Sequence, residues 1–294
     1  MNSCSALTVE GQTVKGKTAD GEFAINFNKG KMQTWTYNGK ALIAEGPDFN
    51  SYRKVDNDRG FSPSFSNSSS LSITRALAKS GNNAMMSVKG SATGCNYTID
   101  YTFYPDGTVD MNVKFSPSRS LARIGLGMQF ASGFENVEFY ARGPRSNYSD
   151  RKTGSYLGRF TTTVDDMVDE MIHPQTFGDH EDMRELILTN KASNVQIGIK
   201  AGGRASFSLS HYDETKWCTS GDSMWNTKLH WYDLTRNPQV YAHFDYMQRG
   251  LGNNSCGGDS CLSDYMCPFS SWNSNYGYTL RFTPQAGGNV QITE

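Results

Sequence analysis

The chain has 294 residues, with 28 basic and 29 acidic side chains and a formal net charge of −1 at pH 7. This balance, without blocks of like charge, argues against nucleic acid as a partner, because phosphate binding needs a concentrated basic surface. No apolar run approaches the ~20 residues that span a bilayer. The N-terminus has no charged or apolar leader region, so we expect a signal peptide to be absent or already removed.

Alternation of apolar and polar residues, which is typical of half-buried β-strands, dominates the first half of the chain. It begins at residues 23–27, and Asn38-Gly39 is predicted to turn the chain between two further runs. Residues 97–103 and 109–115 are predicted to pair as a hairpin. Pro105-Asp106-Gly107 joins them, and glycine readily takes the positive φ of such a turn.

The second half continues the same pattern. Further strands are predicted at residues 137–141, 195–199, 207–211, 240–246 and 276–282. Helical periodicity is confined to residues 165–172, which suggest two turns. Because the strands do not alternate with long helices, a (β/α) barrel and a doubly wound sheet are excluded. About fifteen strands predict an all-β fold, a large antiparallel β-sandwich of two broad sheets.

Two long segments do not fit this alternation. Residues 62–72 are serine-rich and low in apolar side chains, so we expect a mobile loop. Residues 252–274 form a second, glycine- and cysteine-containing loop. Directly before the first loop stands Asp56-Asn57-Asp58-Arg59-Gly60, which is either a solvated turn or a loop shaped to contact a ligand.

Little in the sequence supports a metal site or a set of disulfide bonds. The spacing of Cys256, Cys261 and Cys267 lacks the close C-x2-C pair of zinc sites, so free thiols or a single disulfide are expected. Asp179-His180-Glu181-Asp182 cannot point four contiguous side chains at one ion, and we interpret it as a solvated loop. His211 is in phase with the apolar residues of its strand and is expected to be a hydrogen-bonded core histidine. The same interpretation applies to His230.

Catalytic motifs are also absent from the sequence, which has no nucleophile elbow, phosphate-binding loop or dinucleotide fingerprint. Hydrolysis of a glycoside needs two carboxylates about 5–10 Å apart, which sequence alone cannot place. Asp56, Asp58, Glu181 and Asp182 all fall in predicted loops, and we expect each to be solvated or turn-forming.

Aromatic residues make up 12% of the chain. Such rings can stack on sugars, although most are expected in the core.

One segment carries a specific resemblance. Residues 143–151, Gly-Pro-Arg-Ser-Asn-Tyr-Ser-Asp-Arg, resemble the "GPxENYxDR" signature in the C-terminal domain of family 2 β-galactosidases. Residues 56–60 are similar to the family's "DNDxG". Similar segments recur in consistent order from about residue 10 to about residue 284. These further matches are residues 123–130, Pro174-Gln175 followed by Arg184-Glu185, residues 210–212 and residues 248–257.

The resemblance implies a single domain over residues 1–294, with a core at about 10–284. It implies a supersandwich of the galactose mutarotase-like type. In the family, both catalytic glutamates lie in a separate (β/α)8 barrel, so this chain would hold no catalytic residue and no metal. Any Mg²⁺ or Na⁺ would belong to that barrel. The compartment stays open between the bacterial cytoplasm and the periplasm.

The implied role is to lend loops to a sugar-binding active site, as the C-terminal domain or small subunit of a β-galactosidase. The implied partners are the catalytic barrel, on the same or a separate polypeptide, and a β-galactoside or related carbohydrate. In the family, the loop that begins at the position of Gly60 opens and closes over the sugar. The residues implied at the rim of the active site are Asp56, Asn57, Asp58, Arg59, Gly60, Asn254, Ser255 and Leu262.

Three departures from the family pattern bear on the sugar contact. Val55 replaces a short Trp-containing run, Thr176 stands where the family commonly has glutamate, and Leu262 falls near the position of a stacking tryptophan. Two alternatives stay open. One is a stand-alone carbohydrate-binding module. The other is a mutarotase-like aldose epimerase, in which His211 or His230 would act as an acid if a glutamate lay across a cleft from it.

Overall fold

The computed structural model describes residues 7–18, 21–53, 70–119, 121, 123–172, 174–216, 230–248 and 276–287. Within these ranges the chain forms eighteen strands and three short 3-10 helices, and none of the helices there could cross a membrane. The strands are β1 (Thr8–Glu10), β2 (Thr13–Lys17), β3 (Glu22–Asn28), β4 (Lys31–Tyr37), β5 (Lys40–Ala41), β6 (Ile43–Asn50), β7 (Ser70–Ser80), β8 (Asn83–Ala92), β9 (Cys95–Phe103), β10 (Val109–Pro117), β11 (Arg123–Phe130), β12 (Asn136–Gly143), β13 (Tyr156–Thr163), β14 (Glu185–Asn190), β15 (Val195–Gly203), β16 (Ser206–Ser210), β17 (Val240–Gln248) and β18 (Tyr276–Ala286). The 3-10 helices are Asp165–Met167, Glu214–Lys216 and Trp231–Asp233.

The strands form three antiparallel sheets. One has five strands in the order β1-β2-β3-β4-β5. The largest has nine strands in the order β13-β12-β14-β15-β18-β10-β9-β8-β7, and the third has four in the order β16-β17-β11-β6. The predicted hairpin of β9 and β10 is confirmed, with Tyr97 opposite Phe115 and Phe103 opposite Val109. Its turn places Gly107 at φ +88°, as the sequence predicted.

The five- and four-stranded sheets lie side by side and form one layer. They meet where β4 passes β6, and a Cβ atom added to Gly46 would lie 2.2 Å from the backbone oxygen of Met32. Only glycine allows the two strands to approach this closely, because a side chain there would overlap the neighbouring backbone. The predicted two-layer sandwich is therefore confirmed, with one of its layers divided into two sheets.

Aromatic contacts join this layer to the nine-stranded sheet. Phe27 packs edge-to-face on Tyr101 with ring centroids 5.3 Å apart. Trp35 contacts Phe282 from the five-stranded sheet at 6.0 Å, and Phe244 contacts the same ring from the four-stranded sheet at 5.8 Å. These side chains are almost fully buried, so burial of large apolar surface holds the two layers together.

Two predictions about irregular segments need correction. Only Asp165–Met167 is helical within residues 165–172, and Val168 is already extended at φ −86° and ψ 131°. The extended path lets Val168 and Met171 pack against a small apolar cluster built on Tyr52 and Phe177. The predicted loop at residues 62–72 was wrong at its end, where Ser70 begins β7 and pairs with Ser91. Its remaining residues, 62–69, and all of 252–274 lie outside the described residues.

Candidate functional site

A cluster of buried charged side chains lies at one end of the four-stranded sheet. At its centre is Arg123, the first residue of β11, whose side chain is fully buried. Its Nε and Nη2 atoms both lie 2.8 Å from Oδ2 of Asp245, which β17 positions on the neighbouring strand. Nη1 donates to Oε2 of Glu214 at 3.2 Å, just beyond the end of β16. A buried arginine balanced by two buried carboxylates is stable only as an intact unit.

We call this set, Arg123, Asp245, Glu214, Arg53 and Gln248, the arginine cluster. Arg53 donates from Nη1 to Oε1 of Gln248 at 3.0 Å. The Nε2 atom of Gln248 in turn donates to Asp245 at 3.3 Å. All five side chains are buried, so the cluster ties Arg53, three residues after the end of β6, to Gln248 at the end of β17. Thr176, at the position where the family commonly has glutamate, also donates to Glu214 at 3.2 Å.

Two members of the arginine cluster, Arg53 and Gln248, precede in the sequence the segments that carry the predicted rim residues. Asp56, Asn57, Asp58, Arg59 and Gly60 follow three to seven residues after Arg53 in the sequence. Asn254, Ser255 and Leu262 follow Gln248. The predicted rim residues themselves lie outside the described residues, as does Val55. Arg53 and Gln248, which precede these two segments in the sequence, are joined by a hydrogen bond of 3.0 Å.

The prediction of a solvated loop at residues 179–182 was wrong. Asp179, His180 and Glu181 are each at most 2% exposed. The segment is covered because it runs alongside β16 and β12. The His180 amide donates to the carbonyl of Phe207 at 2.8 Å, and the carbonyl of Glu181 accepts from Arg142 at 2.9 Å. Asp182 alone stays partly exposed, and it pairs with Arg142.

Burial has the largest effect on the pKa values of Asp179, Glu214 and Asp245. It raises the pKa of Asp179 well above its ordinary range, and the neighbouring charges of Glu181 and Asp245 act in the same direction. Neither carboxylate oxygen of Asp179 has a hydrogen bond of good geometry from the described residues, although the nearby Ser206 hydroxyl opposes part of the rise in its pKa. Burial also raises the pKa of Glu214 and Asp245, and Arg123 opposes the shift in both. A buried acid with so few hydrogen-bonding partners costs stability, so Asp179 is expected to destabilise the fold.

A cleft of about 260 Å³ opens on the outer face of the four-stranded sheet, beside the arginine cluster. Its lining includes Asn50 of β6, Gly127 of β11, His243 of β17 and Glu214. Nε2 of His243 and Oε1 of Glu214 face each other across 4.0 Å. Burial lowers the pKa of His243 well below its ordinary value, so the imidazole is neutral near pH 7.

The histidines singled out from the sequence occupy different places. His211 is fully buried, as predicted, with Nδ1 2.9 Å from the carbonyl of Gln239 and Nε2 2.6 Å from Glu135. Glu135, Asp165 and His211 bring three ligand-type atoms within 4.8 Å of one another. Arg236 already bonds both of these carboxylates, so their charge is matched by a guanidinium. His230 instead stacks on Tyr232 at the surface, with ring centroids 5.1 Å apart.

The fold is of the galactose mutarotase-like class. It is similar to that of a galactose 1-epimerase from Lactobacillus acidophilus, with a TM-score of 0.52 and 8% sequence identity over 94% of this chain and 95% of that one. At this identity the similarity concerns the fold alone.

The sequence assigns the chain to a particular family. Residues 17–282 match the family described as beta galactosidase small chain, and the chain belongs to that family. It is similar to a β-galactosidase of Staphylococcus xylosus, 31% identical over 162 residues, which are 55% of this chain and 15% of that protein. It is also similar to a β-galactosidase of Vibrio cholerae, 25% identical over 283 residues, which are 87% of this chain and 26% of that protein. The chain thus spans about a quarter or less of the length of these relatives.

Sequence reasoning missed the residues that form the cleft and the centre of the arginine cluster. Neither Arg123, Glu214 nor His243 was singled out as a candidate site residue. One signal was present for His243: it alternates with the apolar residues Ala242 and Phe244, which assigns it to the outer face of β17. No local signal connects it to Glu214, which lies 29 positions earlier, because β16 and β17 bring the two together only in the folded sheet.

Proposed function

We propose that this chain is the small-chain part of a β-galactosidase and that it supports an active site whose catalytic glutamates lie in a separate (β/α)8 barrel. The partner is that barrel, on the same or another polypeptide, and the substrate is a β-galactoside. The chain contributes no catalytic residue. We assign any Mg²⁺ or Na⁺ of the complete enzyme to the barrel.

Family membership and length support this proposal together. Relatives named β-galactosidase are about four times as long as the part that this chain matches. A (β/α)8 barrel needs about 250 residues of alternating strands and helices. The described ranges contain antiparallel strands and no α-helix. Hydrolysis of the glycosidic bond is therefore assigned to the remainder of the enzyme.

The single observation that carries the proposed role is the position of the arginine cluster. Charges are costly to bury, and a buried pair is weak evidence for stability on its own. Here the buried charges hold Arg53 and Gln248 together, and these two residues precede the predicted rim segments in the sequence. Rigid residues beside a binding segment favour its precise placement against a ligand on a partner. We assign the sugar-facing rim to Asp56, Asn57, Asp58, Arg59, Gly60, Asn254, Ser255 and Leu262.

Reconstitution with the barrel polypeptide tests this role. Hydrolysis of a nitrophenyl β-galactoside is measured for the barrel alone and for the barrel with this chain, which we expect to raise the rate. Asp58→Asn should lower kcat/KM by about tenfold, the equivalent of ~1.4 kcal/mol of transition-state binding. Asp100→Asn, which removes the same charge on β9, is the matched control and should change it less than about twofold.

Equal activity of the barrel with and without this chain would contradict the proposal. So would equal effects of the two substitutions. The epimerase alternative through His211 is not favoured, because both ring nitrogens of this fully buried side chain are hydrogen-bonded to protein atoms. Such a side chain has no free nitrogen with which to contact a substrate.

A further inference from the structure

The cleft beside the arginine cluster has an ordered set of hydrogen-bonding groups. The backbone amide of Tyr52 donates to Oδ1 of Asn50 at 2.8 Å, which fixes the orientation of the Asn50 amide. Its Nδ2 group therefore points at Nδ1 of His243, 2.6 Å away. Because an amide NH₂ group only donates, Nδ1 of His243 is the acceptor. The neutral imidazole then carries its proton on Nε2, the atom that faces Glu214.

On the other side of the cleft, hydrogen bonds also fix the position of Glu214. Its Oε2 atom accepts from Arg123 and from Thr176, each at 3.2 Å. The side chain is 8% exposed, so the carboxylate has little freedom to turn toward water. No hydrogen bond to its Oε1 atom is formed by the described residues, and Nε2 of His243 lies 4.0 Å from that atom. The cleft thus presents one fixed donor and one fixed acceptor that do not reach each other.

From this geometry we infer that the cleft binds a neutral monosaccharide, through a hydroxyl group placed between His243 and Glu214. A hydroxyl oxygen can accept from Nε2–H while its proton is donated to Oε1, so one group satisfies both partners. An ammonium group could only donate and would leave Nε2–H unpaired. An anion such as a sugar phosphate would lie against the carboxylates of Glu214 and Asp213, which favours a neutral ligand.

The cleft is large enough for more than a single water. Its volume of about 260 Å³ is many times the ~10–15 Å³ that a cavity needs to hold one water. Gly127 forms part of the floor, and a Cβ atom there would lie 3.4 Å from His243 and 3.7 Å from Asn50. Gln129 and Tyr241 add further polar groups and an aromatic ring to the wall. A polyhydroxylated ring can use these groups, whereas a small alcohol would use only one or two.

This site does not rest on the proposed role beside a barrel, and it is tested on the 294-residue chain alone. Galactose, glucose, glycerol and galactose 6-phosphate are titrated separately and followed by calorimetry. The imidazole nitrogen resonances of His243 are recorded by NMR in the same titrations. We expect saturable binding of the neutral hexoses in the millimolar range, a shift of the His243 Nε2 resonance, and no saturation with glycerol or the phosphate.

Substitutions at Gly127, in the floor of the cleft, provide variants that test the binding site. Gly127→Ala adds a Cβ at ordinary contact distance and preserves the fold, and it should weaken hexose binding severalfold. Gly127→Val should weaken it by at least about tenfold. Gly202→Val, on an exposed stretch of β15 where a Cβ would lie 3.6 Å from Thr279, is the control and should leave binding unchanged.

Three results would overturn the inference. One is the absence of saturation with any neutral hexose, which would leave water as the occupant of the cleft. Another is binding that does not shift the His243 resonance. The third is binding that survives Gly127→Val. None of these results bears on reconstitution with the barrel, so the two proposals fail separately.

Discussion

Replacing Arg123 with methionine tests the arginine cluster directly. Methionine keeps much of the length of the arginine side chain and removes its charge and its donors. Two buried carboxylates, those of Asp245 and Glu214, then lose their main counter-charge at 2.8 and 3.2 Å. Removing one partner of a buried ion pair typically costs 3–5 kcal/mol, because a charge is left buried and uncompensated.

Two features of the structure limit that cost. Arg53 also lowers the pKa of Asp245 and of Glu214, so some positive charge remains nearby. The carboxyl pKa values are already raised by burial, so one group can take up a proton when Arg123 is absent. We therefore expect the lower part of the range, about 3–4 kcal/mol. For a domain of this size that corresponds to a fall in Tm of about 6–10 °C.

Urea-induced unfolding at pH 7, followed by tryptophan fluorescence, measures the change in the free energy of unfolding. The control is Arg281→Met, which breaks a bidentate pair with Asp110 of similar length, 2.7 Å. The Arg281 side chain is 51% exposed, so its loss should cost no more than about 1 kcal/mol. If the two variants lose the same stability, the reasoning about burial and the arginine cluster is refuted.

Three further predictions concern other parts of the molecule. Asp179→Asn should raise the free energy of unfolding by about 1–3 kcal/mol at pH 8, because it removes a buried acid whose ionisation the folded state opposes and the unfolded state allows. Gly46→Ala should lower it by at least about 1–3 kcal/mol, because the added Cβ would meet the backbone of β4. Cys95, whose pKa burial raises to about 12, should resist iodoacetamide in the folded chain and be alkylated only after unfolding, as read by peptide mass spectrometry.

The pH dependence of Asp179 has a definite sign. Its pKa is higher in the folded chain than the ordinary value of 3.8, so the folded state binds the proton more tightly. Stability contributed by this group is therefore full below pH 3.8 and is lost as the pH rises through the raised folded pKa. Asp179→Asn should lack this decline, and its advantage over the wild type should shrink as the pH falls. An advantage that stayed constant with pH would contradict the assignment.

Control measurements test the predictions for Gly46→Ala and for the labelling of Cys95. In Gly202→Ala, the added Cβ would meet only ordinary contacts at the surface. This variant should therefore lose less stability than Gly46→Ala. Equal losses would mean that the close passage of β4 and β6 is not what requires glycine. Labelling of Cys95 at the rate of an exposed thiol would contradict its burial.

The fold was predictable because its main signals are local. The alternation in β9 and β10 and the glycine turn at Gly107 together specify a hairpin, and the structure forms it in the expected register. Division of one layer into two sheets was not predictable. It depends on Gly46 meeting Met32 across β4 and β6, and nothing near Gly46 in the sequence marks that contact.

Most of the candidate site could not be predicted, since it depends on contacts between distant residues. Asp179 and Glu181 have the composition of a solvated loop, and they are buried only because the segment pairs alongside Phe207 and Arg142. The pair formed by Glu214 and His243 arises from strand pairing in the same way. The rim residues came from the family resemblance and lie outside the described residues; the structure describes only Arg53 and Gln248, which precede them in the sequence and are hydrogen-bonded.

The central claim is that this sandwich supports a β-galactosidase active site and cleaves no bond alone. The most direct measurement is the turnover of a nitrophenyl β-galactoside by the purified 294-residue chain, free of any companion polypeptide. We predict no rate above the uncatalysed background, with activity appearing only when the barrel is supplied. Turnover by the chain alone at the 1–10³ s⁻¹ typical of enzymes would contradict the account.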